Sequence, residues 1–244
     1  MAPDRTDERA FAAGMLADAS VRVVRTVDGF HGADWSLPSL LPDWSRAHVV
    51  AHLALNAEGM AQALGGLVSD DDDAPRTMYA SDDQRAEDID VLAAAEAGRI
   101  RDRLLAGVTH LKEAVDAVPP DSWETRIERT PGGRTMRAAA FPGMRWRELE
   151  IHHVDLDAGY TRSQWTPAFA EHLLDAMAKR LDPTPGFEIA PLDSQRRWVL
   201  GSPPDDEVPV VSGPAADLAW WLTGRARPDT LSGSRGELPT IEGW

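Results

Sequence analysis

The chain has 244 residues, with 40 acidic side chains against 25 lysines and arginines and a formal charge of −15. That length can bury a substantial core as one large domain or two modest ones, and the acidic balance opposes the phosphate-dominated attraction behind nucleic-acid and anionic membrane binding. Cysteine is absent, which excludes disulfides and thiolate-zinc cages: a metal has to be held by histidine and carboxylate, and thiol chemistry needs a thiol from outside the chain.

The opening MAPDRTDERAFAAG lacks the basic and apolar regions of a secretory signal, and no run of about 18 apolar residues could span a bilayer, so a soluble cytoplasmic protein is expected. Phe11, Met15, Leu16, Ala19, Val23 and Val27 recur at helical spacing and predict a first amphipathic helix over about 7–28. HGADWSLPSLLPDW, dense in Pro, Gly and Asp, reads as a loop, and Ser45 then caps a second helix over about 46–67. The acidic run Asp70 to Asp73, followed by Ala74 and Pro75, reads as a solvated loop without the interleaving of a calcium site. Ile89, Leu92, Ile100, Leu104, Val108, Leu111 and Val115 predict one long third helix that stops before Pro119 and Pro120. TPGGRTM is a turn, and a fourth helix follows over about 135–158, with Pro142 and Gly143 at the place for a kink. Four helices with one apolar stripe each bury those stripes most simply as an up-and-down bundle.

Beyond Gly159 the pattern changes. Phe169, Leu173, Met177 and Leu181 mark a helix, and FEIAPL, RRWVLGS and VPVVSG are short β-type runs. PAADLAWWLTGR is helical, with Pro214 near its first turn and Gly224 near its end, and an extended tail closes the chain. The expected class is mainly α plus α+β: a four-helix bundle over 1–160 and a small α+β domain over 161–244.

Two helices carry groups that can do chemistry. His48 and His52 stand four apart in HVVAH, and Glu148 and His152 stand four apart in ELEIH, while Glu150 and His153 diverge from that face. A His, Glu, His set from helices two and four can hold a metal and leave a fourth position open, as catalytic sites do. Spacing equally allows His52 and His152 to be hydrogen-bonded residues near the core, with His48 and His153 exposed. HVVAH lacks the glutamate beside its first histidine that a zinc-protease helix carries.

The blocks DWSRAHVVAHLALNA, TMYASDDQRAEDI, MRWRELEIHHVDLDAG, WWLTGR and SGSRGELP resemble, in order and separation, those of the mycothiol-dependent maleylpyruvate isomerases, over nearly the whole chain. The resemblance implies a DinB-like four-helix bundle joined to a small C-terminal α/β domain related to sterol-carrier folds. It implies zinc ligands at His52, Glu148 and His152, with Arg46 and His48 as outer-face or loop-contact residues. Asn56 and Asp155 become candidates for orienting the ligands, with a helix-surface or capping role as the alternative for both.

The implied reaction converts maleylpyruvate, a small diacid, to fumarylpyruvate in gentisate-type aromatic breakdown. A small thiol, mycothiol or a relative, serves as cosubstrate: its thiolate adds to the double bond, the resulting single bond rotates, and elimination restores a trans alkene. Arg85 and Arg225 match the positions that give the substrate carboxylates and the enolate fixed charge and forked donors. Arg225 falls in the second domain, so the resemblance places the site at an interdomain cleft. Trp220 and Trp221 are expected to pack. The residues alone otherwise read Arg85 as a surface ion pair beside Asp82, Asp83 and Glu87, and Arg225 as a helix-end charge. Two other functions fit the pattern: a transferase that moves a small thiol onto another electrophile, and a non-enzymatic bundle that binds an acidic metabolite or a partner.

Overall fold

The computed structural model describes residues 5–69, 76–204 and 208–241, and for residues 5–13 the backbone alone. The Asp70–Asp73 run and the Phe11 side chain lie outside the described parts. The chain divides into two compact units, Met1–Gly159 and Tyr160–Trp244. Among the described residues no helix is long and apolar enough to cross a membrane.

The first unit contains α1 (Arg5–Asp28), α2 (Arg46–Gly65), α3 (Asp82–Ala93), α4 (Ala97–Ala117) and α5 (Phe141–Asp155). α1 packs on α4 and α5, and α2 packs on the same two helices, which closes a four-helix bundle; α3 packs against α2. α2 is the core helix because it is apolar nearly all round: Val49, Val50, Leu53, Ala54, Ala57, Met60 and Leu64 are all buried. Each large aliphatic side chain buried this way contributes roughly 1.5–3 kcal/mol. Its approach to α4 depends on small residues. A Cβ on Gly107 would sit 3.1 Å from both Ala54 O and Ala57 Cβ. At its start Ser45 is extended, and its hydroxyl lies 2.7 Å from His48 Nδ1, so the first turn begins where the sequence predicts.

Two predicted boundaries are corrected. The single long third helix is two helices, α3 and α4, separated at 94–96, where Glu96 is extended. No proline or glycine forces this break; the apolar stripe does. Ile100, Leu104 and Leu111 share a face, whereas Leu92 precedes Ile100 by eight residues and is about 80° out of phase at roughly 100° per residue. Breaking the helix lets Ile89, Leu92, Ile100 and Leu104 all be buried. α3 also starts at Asp82, earlier than the apolar pattern shows, with Ser81 Oγ accepting from Gln84 N at 3.0 Å.

The fourth helix begins at Phe141 rather than near 135. Residues Thr135–Arg137 form β2, antiparallel to β1 (Arg126–Glu128), with Ile127 opposite Met136 across the TPGG turn. A 3-10 turn, Ala138–Ala140, leads into α5. Pro142 therefore lies in the first helical turn, where its missing N–H is not needed, and it starts the helix instead of kinking it. Three-residue strands are too short to show alternation.

The second unit contains α6 (Pro167–Arg180), β3 (Phe187–Pro191), β4 (Trp198–Leu200), β5 (Val210–Gly213), α7 (Ala215–Leu222) and β6 (Ser232–Gly233). Thr166 caps α6 by accepting from Phe169 N at 3.2 Å, a contribution of about 1 kcal/mol. The sheet order is β4-β3-β5-β6, with β3 parallel to β5 and the two outer pairings antiparallel. The closing tail thus supplies a strand. α6 packs on α7, and Phe169, Leu173, Phe187, Ile189, Leu218, Trp220 and Trp221 are buried, so both tryptophans pack as expected. The whole is a helical bundle with a small C-terminal α/β unit.

Candidate metal centre

Facing turns of α2 and α5 bring three side chains together. His52 projects from α2, and Glu148 and His152 project from one face of α5; one ligand-type atom from each lies within 4.8 Å of the other two. His52 Nε2 is 2.8 Å and His152 Nε2 3.4 Å from the same carboxylate oxygen, Glu148 Oε2. The two imidazoles meet edge to face, with centroids 4.6 Å apart. His52 is 4 % exposed and His152 8 %. These residues could hold a metal ion.

The far side of each histidine is also held. His152 Nδ1 lies 2.8 Å from Asp155 Oδ2, and Asp155 is fully buried. A carboxylate only accepts, so Nδ1 carries the proton and Nε2 is turned toward Glu148. Asp155 thus holds the orientation of the His152 ring. His52 Nδ1 accepts from Arg85 Nη2 at 2.9 Å, and the Trp44 ring lies 5.8 Å from the imidazole.

Electrostatics separates the three groups. Burial would push the Glu148 carboxyl up, but hydrogen bonds from His152 and His52 and their positive charge hold it well below the usual carboxylate range. Burial, with His152 and Arg85 nearby, pushes His52 down to about 4 despite the Glu148 hydrogen bond. For His152, burial is outweighed by the two carboxylates, Asp155 and Glu148, and its pKa is raised. A carboxylate that stays ionised between two imidazoles is a donor set with one negative charge, suited to a cation.

The other candidates fall elsewhere. Glu150 pairs with Arg22 of α1 and accepts from Trp146 Nε1 at 3.4 Å. His153 is buried, not exposed, with Nε2 2.7 Å from Thr26 Oγ1 on α1; burial and the Arg22 charge push its pKa to about 3. The reason is that α5 packs against both α1 and α2, so two of its faces are inside. Arg22 and Thr26, a polar i,i+4 pair on α1, are the sequence signal for that second face. His48 Nε2 is 3.8 Å from Asp90, away from the cluster. Arg46 donates to the carbonyls of Leu156 and Asp157 just past α5, a loop contact as anticipated. The hydrogen bonds of Asn56 go to other residues than the cluster. Its Oδ1 accepts from Arg145, and its Nδ2 lies 3.5 Å from the Tyr79 hydroxyl.

Arg85 sits on α3 with its guanidinium against His52 and over the Tyr79 ring, centroid distance 5.5 Å. The neighbouring Asp82 pairs instead with Arg129. Arg85 also lines a pocket of about 300 Å³ with Glu58, Tyr79, Asp88 and Arg103. A larger cavity of about 900 Å³ lies wholly within the second unit, against Pro183, Phe187 and Leu238, and contains none of the cluster residues. Arg225 follows α7 in that unit, stacked over Trp220 at 5.4 Å and donating to Thr223 O at 3.3 Å. Tyr79, Trp44 and Arg145 surround the centre without having been singled out by spacing or motif.

A four-helix bundle carrying a His, Glu, His cluster with both imidazoles buried, joined to a small α/β unit, defines the class. The chain belongs to the mycothiol maleylpyruvate isomerase family: the model of the family's N-terminal domain matches residues 16–157 and that of its C-terminal domain residues 164–242. Two solved structures, of the mycothiol-dependent maleylpyruvate isomerase and of a histidine-to-alanine variant of it, are similar with a TM-score of 0.82 and 25% identity over 96% of this chain and 96% of theirs. No curated protein matches the chain.

Proposed function

We propose that this protein is a zinc- and thiol-dependent cis–trans isomerase that converts maleylpyruvate to fumarylpyruvate, with mycothiol as the small thiol. Membership of the family and likeness to a solved isomerase support an isomerase enzyme. The observation that carries the reading is the His52, Glu148 and His152 cluster, with both imidazoles buried, in a chain without cysteine.

Spacing and chemistry support zinc. Nitrogen and oxygen ligands about 2.1 Å from a tetrahedral ion lie roughly 3.4 Å apart, which the 3.4 Å from Glu148 Oε2 to His152 Nε2 matches, while the 2.8 Å to His52 Nε2 is the shorter spacing of a direct hydrogen bond. Three protein ligands leave one position open. When bound, zinc supplies the charge that keeps a thiol ionised near neutral pH.

The protein's own groups then divide the work. His52, Glu148 and His152 bind the ion, and Asp155 fixes the His152 ring through the 2.8 Å hydrogen bond to Nδ1. Burial of both imidazoles keeps bulk water from the ligands. Arg85 and Arg225 hold the substrate carboxylates and stabilise the enolate, for which a planar fork suits better than an ammonium. Isomerisation demands that the double bond lose and regain its character, and the nucleophile for that comes from the cosubstrate because the chain offers no thiol.

Turnover is therefore expected to be absent in rigorously thiol-free buffer and to return on addition of thiol. Alkylating reagents should act only by consuming the cosubstrate, so dialysis followed by fresh thiol restores activity. Full turnover without thiol contradicts the reading.

A further inference from the structure

Arg145 lies on α5 one turn before Glu148 and is 1 % exposed. Among the described residues it forms no ion pair with a carboxylate. Its Nη1 donates to Leu53 O and to Asn56 Oδ1, both at 2.8 Å, and its Nη2 is buried without a protein partner. Burial pushes its pKa down to about 10. Placing a guanidinium here carries a large desolvation cost, which an apolar side chain of similar size avoids. Stability therefore does not explain the residue.

Its contacts do. Leu53 is the residue after His52, and Asn56 is one turn beyond it on α2; Glu148 and His152 follow Arg145 by one and two turns on α5. One guanidinium nitrogen, Nη1, thus ties the stretch of α2 that bears His52 to the stretch of α5 that bears Glu148 and His152. We propose that Arg145 is a positioning residue for the metal centre, setting the separation of His52 from Glu148 and His152 by holding Leu53 O and Asn56 together against α5. The proposal rests on the zinc reading above. The tie through Nη1 and the charge act in opposite directions, because a buried cation repels a divalent ion while the strut preorganises its ligands. The strut prevails.

The test uses full-length Arg145→Met and Arg145→Lys. Three properties are measured: zinc affinity by chelator competition, the visible spectrum of the cobalt-substituted protein, and the melting temperature of the metal-free protein. Arg145→Met should lose roughly 10–100-fold in zinc affinity, as for other residues that orient ligands, and alter the cobalt spectrum. Its metal-free melting temperature should stay near or above wild type, since the desolvation cost of the buried charge goes with it and outweighs the attraction to Glu148 and Tyr79. Arg145→Lys keeps the charge and one nitrogen donor but has a shorter reach and no plane to fix the direction of Nη1, so it should lose part of the same affinity. Asn56→Ala, which removes one acceptor, should show a smaller loss in the same direction. If Arg145→Met fails to fold, the lysine and Asn56 variants decide the question by the same readouts.

Wild-type or tighter zinc binding in Arg145→Met, or a wild-type cobalt spectrum alongside a lowered melting temperature, overturns the proposal. A wild-type protein that takes up neither zinc nor cobalt overturns the zinc reading and this proposal with it.

Discussion

Freshly purified protein is expected to carry about one zinc per chain, and His52→Ala or His152→Ala to lose it while the helices survive. The proposed ligands come from two packed helices, and three of them close only an open site, so deleting one leaves two. Each deletion also leaves the Glu148 carboxylate with one imidazole instead of two, at 3.4 Å or 2.8 Å. Isomerase turnover should fall to background in both variants. His48→Ala and His153→Ala are the controls, and the structure says why they differ. His48 faces Asp90, and His153 faces Thr26 on α1, so neither contributes to the cluster. His153→Ala should instead cost stability, because it empties a buried place between α1 and α5. Elemental analysis and circular dichroism check these outcomes; wild type without metal contradicts the assignment.

Arg225→Ala is expected to lower turnover by about 10² or more, the range for loss of one donor to a developing oxyanion, while zinc content stays intact. The argument is chemical. An isomerase must keep its enolate in place until the bond has rotated, and a guanidinium supplies both the charge and two directed donors. Arg225→Lys should recover only part of the loss, since an ammonium keeps the charge without the fork. Arg225→Ala also loses the stacking on Trp220 and the bond to Thr223 O, and a cation–π contact of this kind is worth about 0.5–1 kcal/mol at exposed sites. Steady-state kinetics with zinc-loaded variants measures the effect, and near-normal turnover in Arg225→Ala contradicts the role.

The sequence carried the elements whose periodicity is strong. α2 announces itself through Ser45 and a nearly continuous apolar run, and the β-runs of the second unit are bounded by Pro, Gly and Asp. The break at 94–96 was hidden because no residue there disfavours a helix; only the phase of Leu92 against Ile100 records it. Pro142 was ambiguous for a different reason: proline marks both kinks and first turns, and the preceding Thr135–Arg137 strand decides between them. At the centre, i,i+4 spacing found Glu148 and His152, and the resemblance selected His52 over His48. Spacing misplaced His153, since a helix buried on two faces hides polar groups on both. Arg145 was illegible because nothing local distinguishes a buried arginine from an exposed one; its burial depends on α2, 92 residues away in sequence at Leu53.

The most direct measurement incubates zinc-loaded protein with maleylpyruvate and mycothiol, follows the ultraviolet change, and identifies both the product and the thiol afterwards. The account predicts fumarylpyruvate as the product, the thiol recovered unconsumed, and no conversion when either zinc or thiol is omitted. A stable thiol adduct as the main product, with thiol consumed in step with substrate, contradicts isomerisation and makes the protein a thiol transferase.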